Sequence, residues 1–205
     1  MDSIDCAGIT VFFQPEHNGG GIKFFPEYLR LLQGRKHPHV MEFAAGPGFI
    51  AFALLGATIA ERVTLVDINP GVVPAIDKTI QENGLQGKVE IRIGNGLQAL
   101  GTEDKQFDLV VSNPPHIDVL DPTTGTIPYN DRPIIYSDPG FIIHREFYRN
   151  IGRFLARGGE TLFIENGLFS DHEKIAGGEQ YPDFEFITPP ASELPGKYYM
   201  QGRKV

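Results

Sequence analysis

The chain has little that would tie it to the cell exterior, to a membrane or to a large polyanion. It contains a single cysteine, Cys6, among its 205 residues. A disulfide within the chain is therefore excluded, and the composition suits a reducing, cytoplasmic compartment. No apolar run approaches the ~18 residues that would suggest a membrane span. The opening Met1-Asp2-Ser3-Ile4-Asp5 is acidic and lacks the basic-then-apolar order of a secretion signal. Basic side chains are in deficit, with 18 Lys and Arg against 26 Asp and Glu and a net charge of −8. That balance disfavours a broad nucleic-acid footprint, which is usually basic, and tilts the expected partner toward a protein or a small molecule. No metal site is expected either. His37 and His39 flank Pro38 in what reads as a solvated loop, His144 and His172 read as surface residues, and Cys6 has no partner motif.

What is present is an alternation of strands and helices. A length of 205 residues fits one domain, 1–205, with a core that needs no staples. Pro26 suits the first position of a helix that Gly34 ends. Val40–Ala44 reads as the first central strand, Phe49–Ala60 as a helix, and Arg62–Asp67 as the second strand. A helix over Val72–Asn83 follows, ended by Gly84. Val89–Ile93 and Phe107–Ser112 are the next strands. Apolar residues at Ile143, Phe147, Ile151 and Phe154 predict a helix over Phe141–Ala156. Gly158 and Gly159 are expected to stop it before a fifth strand, Thr161–Ile164. Such βα alternation implies an α/β fold, a largely parallel sheet with helices on both faces. The tail from Phe184 can add antiparallel edge strands, and the run His17–Lys23 is the one flexible-looking patch before the core.

Two turns carry chemistry. Gly46-Pro47-Gly48 follows the first central strand and opens a helix, and with Ala51 it satisfies a nucleotide-binding glycine spacing. The glycines let backbone approach a ligand closely. Asp67 lies nineteen residues after Gly48 at the end of the second strand, where an acid binds ribose hydroxyls. A dinucleotide and S-adenosylmethionine both use this geometry. Glu42 tips the balance, because an acid near the strand end suits a cationic ammonium better than a pyrophosphate.

The second turn is Asn113-Pro114-Pro115-His116. An apolar strand ends there in an amide and two prolines that cannot continue a ladder. Its carbonyls and the Asn113 side-chain oxygen are acceptors, which suits a planar amine or amide held while its nitrogen attacks an electrophile. His116 offers either a flat ring for stacking or a titratable nitrogen.

With these segments in view, the chain resembles class I methyltransferases that use S-adenosylmethionine, and within them the HemK/PrmC-type branch with its Asn-Pro-Pro-aromatic signature. The resemblance runs from about Gln14 to Gly167. It rests on Glu42–Gly48, Val66–Pro70, Gly94–Gly96, Asn113–His116 and Phe163–Gly167, each at a strand end. It implies a Rossmann-like fold with a mostly parallel seven-stranded sheet and an antiparallel C-terminal edge. It implies a segment 1–38 covering the cofactor or substrate, a core over 39–205, and an acceptor-choosing lid over 117–140. Cofactor contacts would fall to Glu42, Ala44, Gly46, Gly48, Asp67, Ile68, Asn95, Gly96 and Asn113, and catalysis to Asn113, Pro114, Pro115 and His116. Three departures stand out: Ala44 replaces a usual glycine, Asn95 a common Asp, and His116 a common Tyr. The implied reaction is N-methylation, first of a glutamine-type protein side chain. The alternatives are a nucleobase or small nitrogenous metabolite as acceptor and, more remotely, a dinucleotide-dependent oxidoreductase. The few residues before Gln14 match the short members of the branch, without an N-terminal substrate domain.

Overall fold

The computed structural model describes residues 1–102, 106–118, 133–181 and 183–205. Strands β3 (His37–Phe43), β4 (Ala60–Asp67), β5 (Val89–Ile93), β6 (Phe107–Ser112), β7 (Leu155–Asn166), β8 (Phe184–Ile187) and β9 (Lys197–Lys204) form a seven-stranded sheet in the order β5-β4-β3-β6-β7-β9-β8. β5 through β7 are parallel, and β9 runs antiparallel between β7 and β8. A separate hairpin, β1 (Asp2–Cys6) with β2 (Ile9–Phe13), precedes them.

Strand alternation sorts side chains between two core layers. Val40, Leu109, Val111, Leu162 and Ile164 face one layer, which also holds α1 (Gly21–Leu31), α2 (Phe49–Gly56), α3 (Val73–Glu82) and the hairpin. Met41, Val110 and Phe163 face the other, beneath α5 (Ile142–Asn150) and α6 (His172–Ala176). α2 is buried on every side from Phe49 to Leu55, because the sheet covers one flank and the hairpin another. A short α4 (Pro133–Tyr136) precedes α5.

Several expected boundaries move. α1 begins at Gly21, inside the supposedly flexible run, and takes Pro26 into its interior, where one ladder hydrogen bond is lost. α2 stops at Gly56, whose Cβ position would lie 2.4 Å from the Ala7 carbonyl oxygen. β3 starts at His37, so His37 and His39 are buried strand residues and not a solvated loop. α5 ends at Asn150, and β7 starts at Leu155 with Gly158 and Gly159 inside it. That glycine pair makes a bulge against β6: the register slips between Phe107 and Leu109, and a Cβ on Gly159 would lie 2.6 Å from the Phe107 carbonyl oxygen. His172 is exposed as expected, whereas His144 is 1% exposed and lies in the core. Of the expected lid, residues 119–132 lie outside the described residues.

Candidate functional site

A cavity of about 620 Å³ opens where β3, β4, β5 and β6 end, within the size range of small-molecule sites. Its position is the crevice beyond the carboxyl ends of the strands, where open α/β sheets bind ligands. The wall from β3 is a tight turn whose shape depends on positive φ angles: Ala44 at 50°, Gly46 at 52° and Gly48 at 84°. Only Gly takes such angles without strain, so Ala44 sits in an unfavourable conformation directly on the cavity.

Asp67 braces this turn. One carboxylate oxygen accepts from the Gly46 N–H at 2.6 Å and the other from the Asn69 N–H at 2.8 Å. Each oxygen keeps further lone-pair capacity toward the cavity. Burial raises the Asp67 pKa, while the N–H groups of Asn69 and Gly46 draw it down. Glu42 is 3% exposed and accepts from the Ala51 N–H at 2.6 Å, at the start of α2. Burial pushes Glu42 up to about 8, against the pull of the Ala51 and Ile50 N–H groups.

Across the cavity, Asn113 donates from its Nδ2 to the Gly19 carbonyl oxygen at 3.1 Å, and its buried Oδ1 has no hydrogen-bond partner. A buried acceptor without a partner is costly, so this oxygen is an opening for a donor on a bound molecule. Tyr28 fixes the strand ends from below. Its hydroxyl oxygen lies 2.6 Å from the Ser112 carbonyl oxygen and 3.0 Å from that of Leu162, and it accepts from the Ile164 N–H at 3.1 Å.

Glu42, Ala44, Gly46, Asp67, Ile68, Asn95, Gly96, Asn113 and Pro115 all line the cavity. Gly48, Pro114 and His116 do not. A Cβ on Gly48 would meet Leu65 at 2.9 Å and Phe52 at 3.1 Å, so that glycine serves the turn and the core and not the ligand's approach. His116 lies parallel to the Phe169 ring, centroids 6.4 Å apart, with its Nδ1 3.8 Å from Glu165 Oε2. Burial lowers the His116 pKa against the opposing pull of Glu165. Sequence reasoning missed His17, which lines the cavity and whose buried Nδ1 has no hydrogen-bond partner. It also missed the wall that α5 supplies through Ile143, Glu146, Phe147 and Asn150. Among the described residues no helix is long and apolar enough to cross a membrane.

The arrangement fits S-adenosylmethionine. Asp67 presents paired oxygens for vicinal hydroxyls, Glu42 is an acid available to a cation, Asn95 offers an amide, and Asn113 Oδ1 is an unclaimed acceptor for whatever approaches.

Comparison with known proteins agrees. A family model described as "Methyltransferase small domain" matches residues 24–126. The ribosomal RNA small subunit methyltransferase C of Shewanella loihica is 36% identical over 104 residues, 51% of this chain and 28% of that protein. Its Pseudomonas entomophila counterpart is 30% identical over 154 residues, 73% of this chain and 38% of that protein. The chain thus spans about a third of the length of these curated relatives. Among solved structures, the Thermus thermophilus 16S rRNA N2 G1207 methyltransferase, in complex with AdoMet and guanosine, superposes with a TM-score of 0.62 at 16% identity, covering 100% of this chain and 50% of that one. A methyltransferase from Pyrococcus furiosus gives 0.63 at 14% identity, covering 96% and 89%. At such identities the likeness is one of fold.

Proposed function

Because the chain belongs to the methyltransferase small domain family, and is thereby an S-adenosylmethionine-dependent methyltransferase, we propose that it transfers the methyl group to an exocyclic amine of a nucleobase in RNA. The observation that carries the proposal is the Asn113 side chain: a buried, partnerless Oδ1 on the cavity wall, at the end of the strand beside β3. The nucleobase is favoured over the glutamine-type amide of the HemK/PrmC resemblance because the curated relatives are named for ribosomal RNA.

When bound, the sulfonium cofactor supplies an activated methyl group, so the residues have alignment and charge placement left to do. Asp67 would hold the ribose hydroxyls while its bonds to Gly46 and Asn69 keep both oxygens fixed. Glu42 would face the ammonium end, Asn95 the adenine. Asn113 Oδ1 would accept an N–H of the acceptor amine, turning the nitrogen lone pair toward the methyl carbon. As the N–C bond formed and the bond from sulfur to the methyl carbon broke, positive charge would grow on that nitrogen, and the oxygen end of the Asn113 amide dipole would stabilise it. The proton leaves after transfer, so no strong base is required beforehand.

A protein or small-molecule acceptor is the second reading, favoured by the net charge of −8. One experiment separates them. The full chain is incubated with methyl-labelled cofactor and, in parallel, a small-subunit rRNA transcript, free nucleosides, and a glutamine-containing peptide. Nuclease-sensitive label recovered as an N-methylated nucleoside is the expected result. Label confined to the peptide would overturn the nucleobase reading.

A further inference from the structure

Behind the acceptor turn lies a second group of side chains that the mechanism above does not use. Asp138, His144 and Glu165 are each 1% exposed or less, and they stand in a row. His144 Nδ1 is 2.5 Å from Asp138 Oδ2, and its Nε2 is 3.0 Å from Glu165 Oε1. An imidazolium, donating from both nitrogens, is the form of the ring that satisfies an ionised carboxylate on each side. Burial opposes that charge, but Glu165 and Asp138 outweigh it and push His144 up to about 9. Replacing such a cluster by apolar groups is often neutral for stability, so its presence asks for another reason.

The row ends on the acceptor turn. Glu165 Oε2 is buried without a hydrogen-bond partner and faces His116 Nδ1, likewise without one, across 3.8 Å. At the other end, Asp138 accepts from the Ile143 N–H at 2.8 Å and so grips the first turn of α5, the helix that walls the cavity. The same two segments are stitched through backbone: the Ile117 N–H reaches the Tyr136 carbonyl oxygen at 2.9 Å, and the Asp138 N–H reaches that of Ile117 at 3.0 Å. His116, Ile117, Asp138, His144 and Glu165 therefore close a ring between the turn, α5 and β7.

We propose that Asp138, His144 and Glu165 are positioning residues for methyl transfer: they lock the turn Asn113–His116 against α5, so that Asn113 is held at the acceptor nitrogen. This rests on the reading of Asn113 as the acceptor-holding residue. Lys197 on β9 is the cation that also faces Glu165, and Tyr28 on α1, Tyr148 on α5 and Tyr198 on β9 are the other titratable groups around it. The charge on His144 is retained through neutral pH and is lost as pH rises through about 9. Transfer should weaken with it.

The test joins two measurements on the full chain. Ring-nitrogen NMR follows the titration of His144. Single-turnover methyl transfer to a small-subunit rRNA transcript is followed over the same pH range at saturating cofactor. The two midpoints should coincide. Glu165→Gln keeps the shape and removes a charge. It should lower the single-turnover rate about tenfold or more, leave cofactor affinity unchanged, and move both midpoints to lower pH together; Glu165→Asp should recover part of the loss. A His144 ring that is neutral at pH 7, or a Glu165→Gln enzyme with the parent's rate and pH profile, would overturn the proposal. Should Glu165→Gln not fold, non-coincident midpoints in the unmodified chain overturn it equally. Loss of transfer in Asn113→Ala with an unchanged Glu165→Gln would reject the positioning role alone and leave the Asn113 reading standing.

Discussion

On the cofactor side of the cavity, the polar contacts are made over short stretches of chain: Glu42 reaches Ala51 nine residues on, Asp67 reaches Asn69 two residues on, and its longest reach is the 21 residues back to Gly46. On the acceptor side, Asn113 meets Gly19 across 94 residues, and the Tyr28 hydroxyl meets Ser112 and Ile164 across 84 and 136. The first side is backbone N–H groups aimed at carboxylates, and a local pattern of glycine and acid suffices to build it. The second is side chains reaching the backbone of distant elements, and it exists only once the sheet has assembled. Binding and transfer should therefore fail separately.

The largest effect should come from the acceptor side. Asn113→Ala is expected to slow single-turnover methyl transfer by about 10²–10³-fold, the scale for one preorganised contact to developing charge. Cofactor affinity by calorimetry should barely change. A parallel loss of affinity would erase the distinction between the two sides. Asp67→Ala should do the converse, weakening cofactor binding by roughly 1.5–3 kcal/mol, the range for hydrogen bonds to a charged group. Part of its effect will fall on the turn it braces, so a thermal melt without ligand belongs beside the titration. Unchanged affinity would reduce Asp67 to a brace.

Glu42 sharpens the comparison through pH. Its folded-state pKa, pushed to about 8, exceeds the unfolded value, so its contribution to stability is full below the ordinary carboxylate range and lost as pH rises through about 8. A cationic ligand favours the ionised form. Cofactor binding near pH 7 should thus release a proton, seen as a dependence of calorimetric heat on buffer ionisation enthalpy, and Glu42→Gln should abolish that dependence. The smallest effect belongs to the strained turn. Ala44→Gly should raise stability by roughly 0.5–1 kcal/mol, since the φ of 50° costs Ala more than the extra chain entropy costs Gly. A lower melting temperature would show that the methyl group earns its place by packing.

The same contrast explains what could be read from the residues alone. The strand ends, the glycine turn, Asp67 and the Asn113 turn were legible because each is a local pattern with its own chemistry. The cavity-lining role of Gly48 was misread because a fingerprint names a position and not the direction in which its missing side chain would point. His144, beside Arg145 and Glu146, reads as a surface residue. Those two follow it in sequence but project elsewhere on the helix, and what holds His144 is Asp138 and, 21 residues away on another element, Glu165. Pro38 likewise hides the strand character of His37 and His39, whose burial depends on pairing with β4.

The Tyr28 hydroxyl carries one more consequence, for the order in which the molecule is built. Its partners on β6 and β7 lie so far along the chain that contact must wait for nearly the whole sequence, and contacts of such separation are slow to form. The glycine turn and Asp67, by contrast, lie within the first 67 residues. Folding should mature the cofactor half before the acceptor half, so that a partly folded chain is able to hold its methyl donor with nowhere yet to deliver it. Pulse-labelled hydrogen exchange at the Ile164 and Gly46 amides dates the two events: protection of Ile164 is expected to lag, and simultaneous protection would show the two halves to be a single cooperative unit.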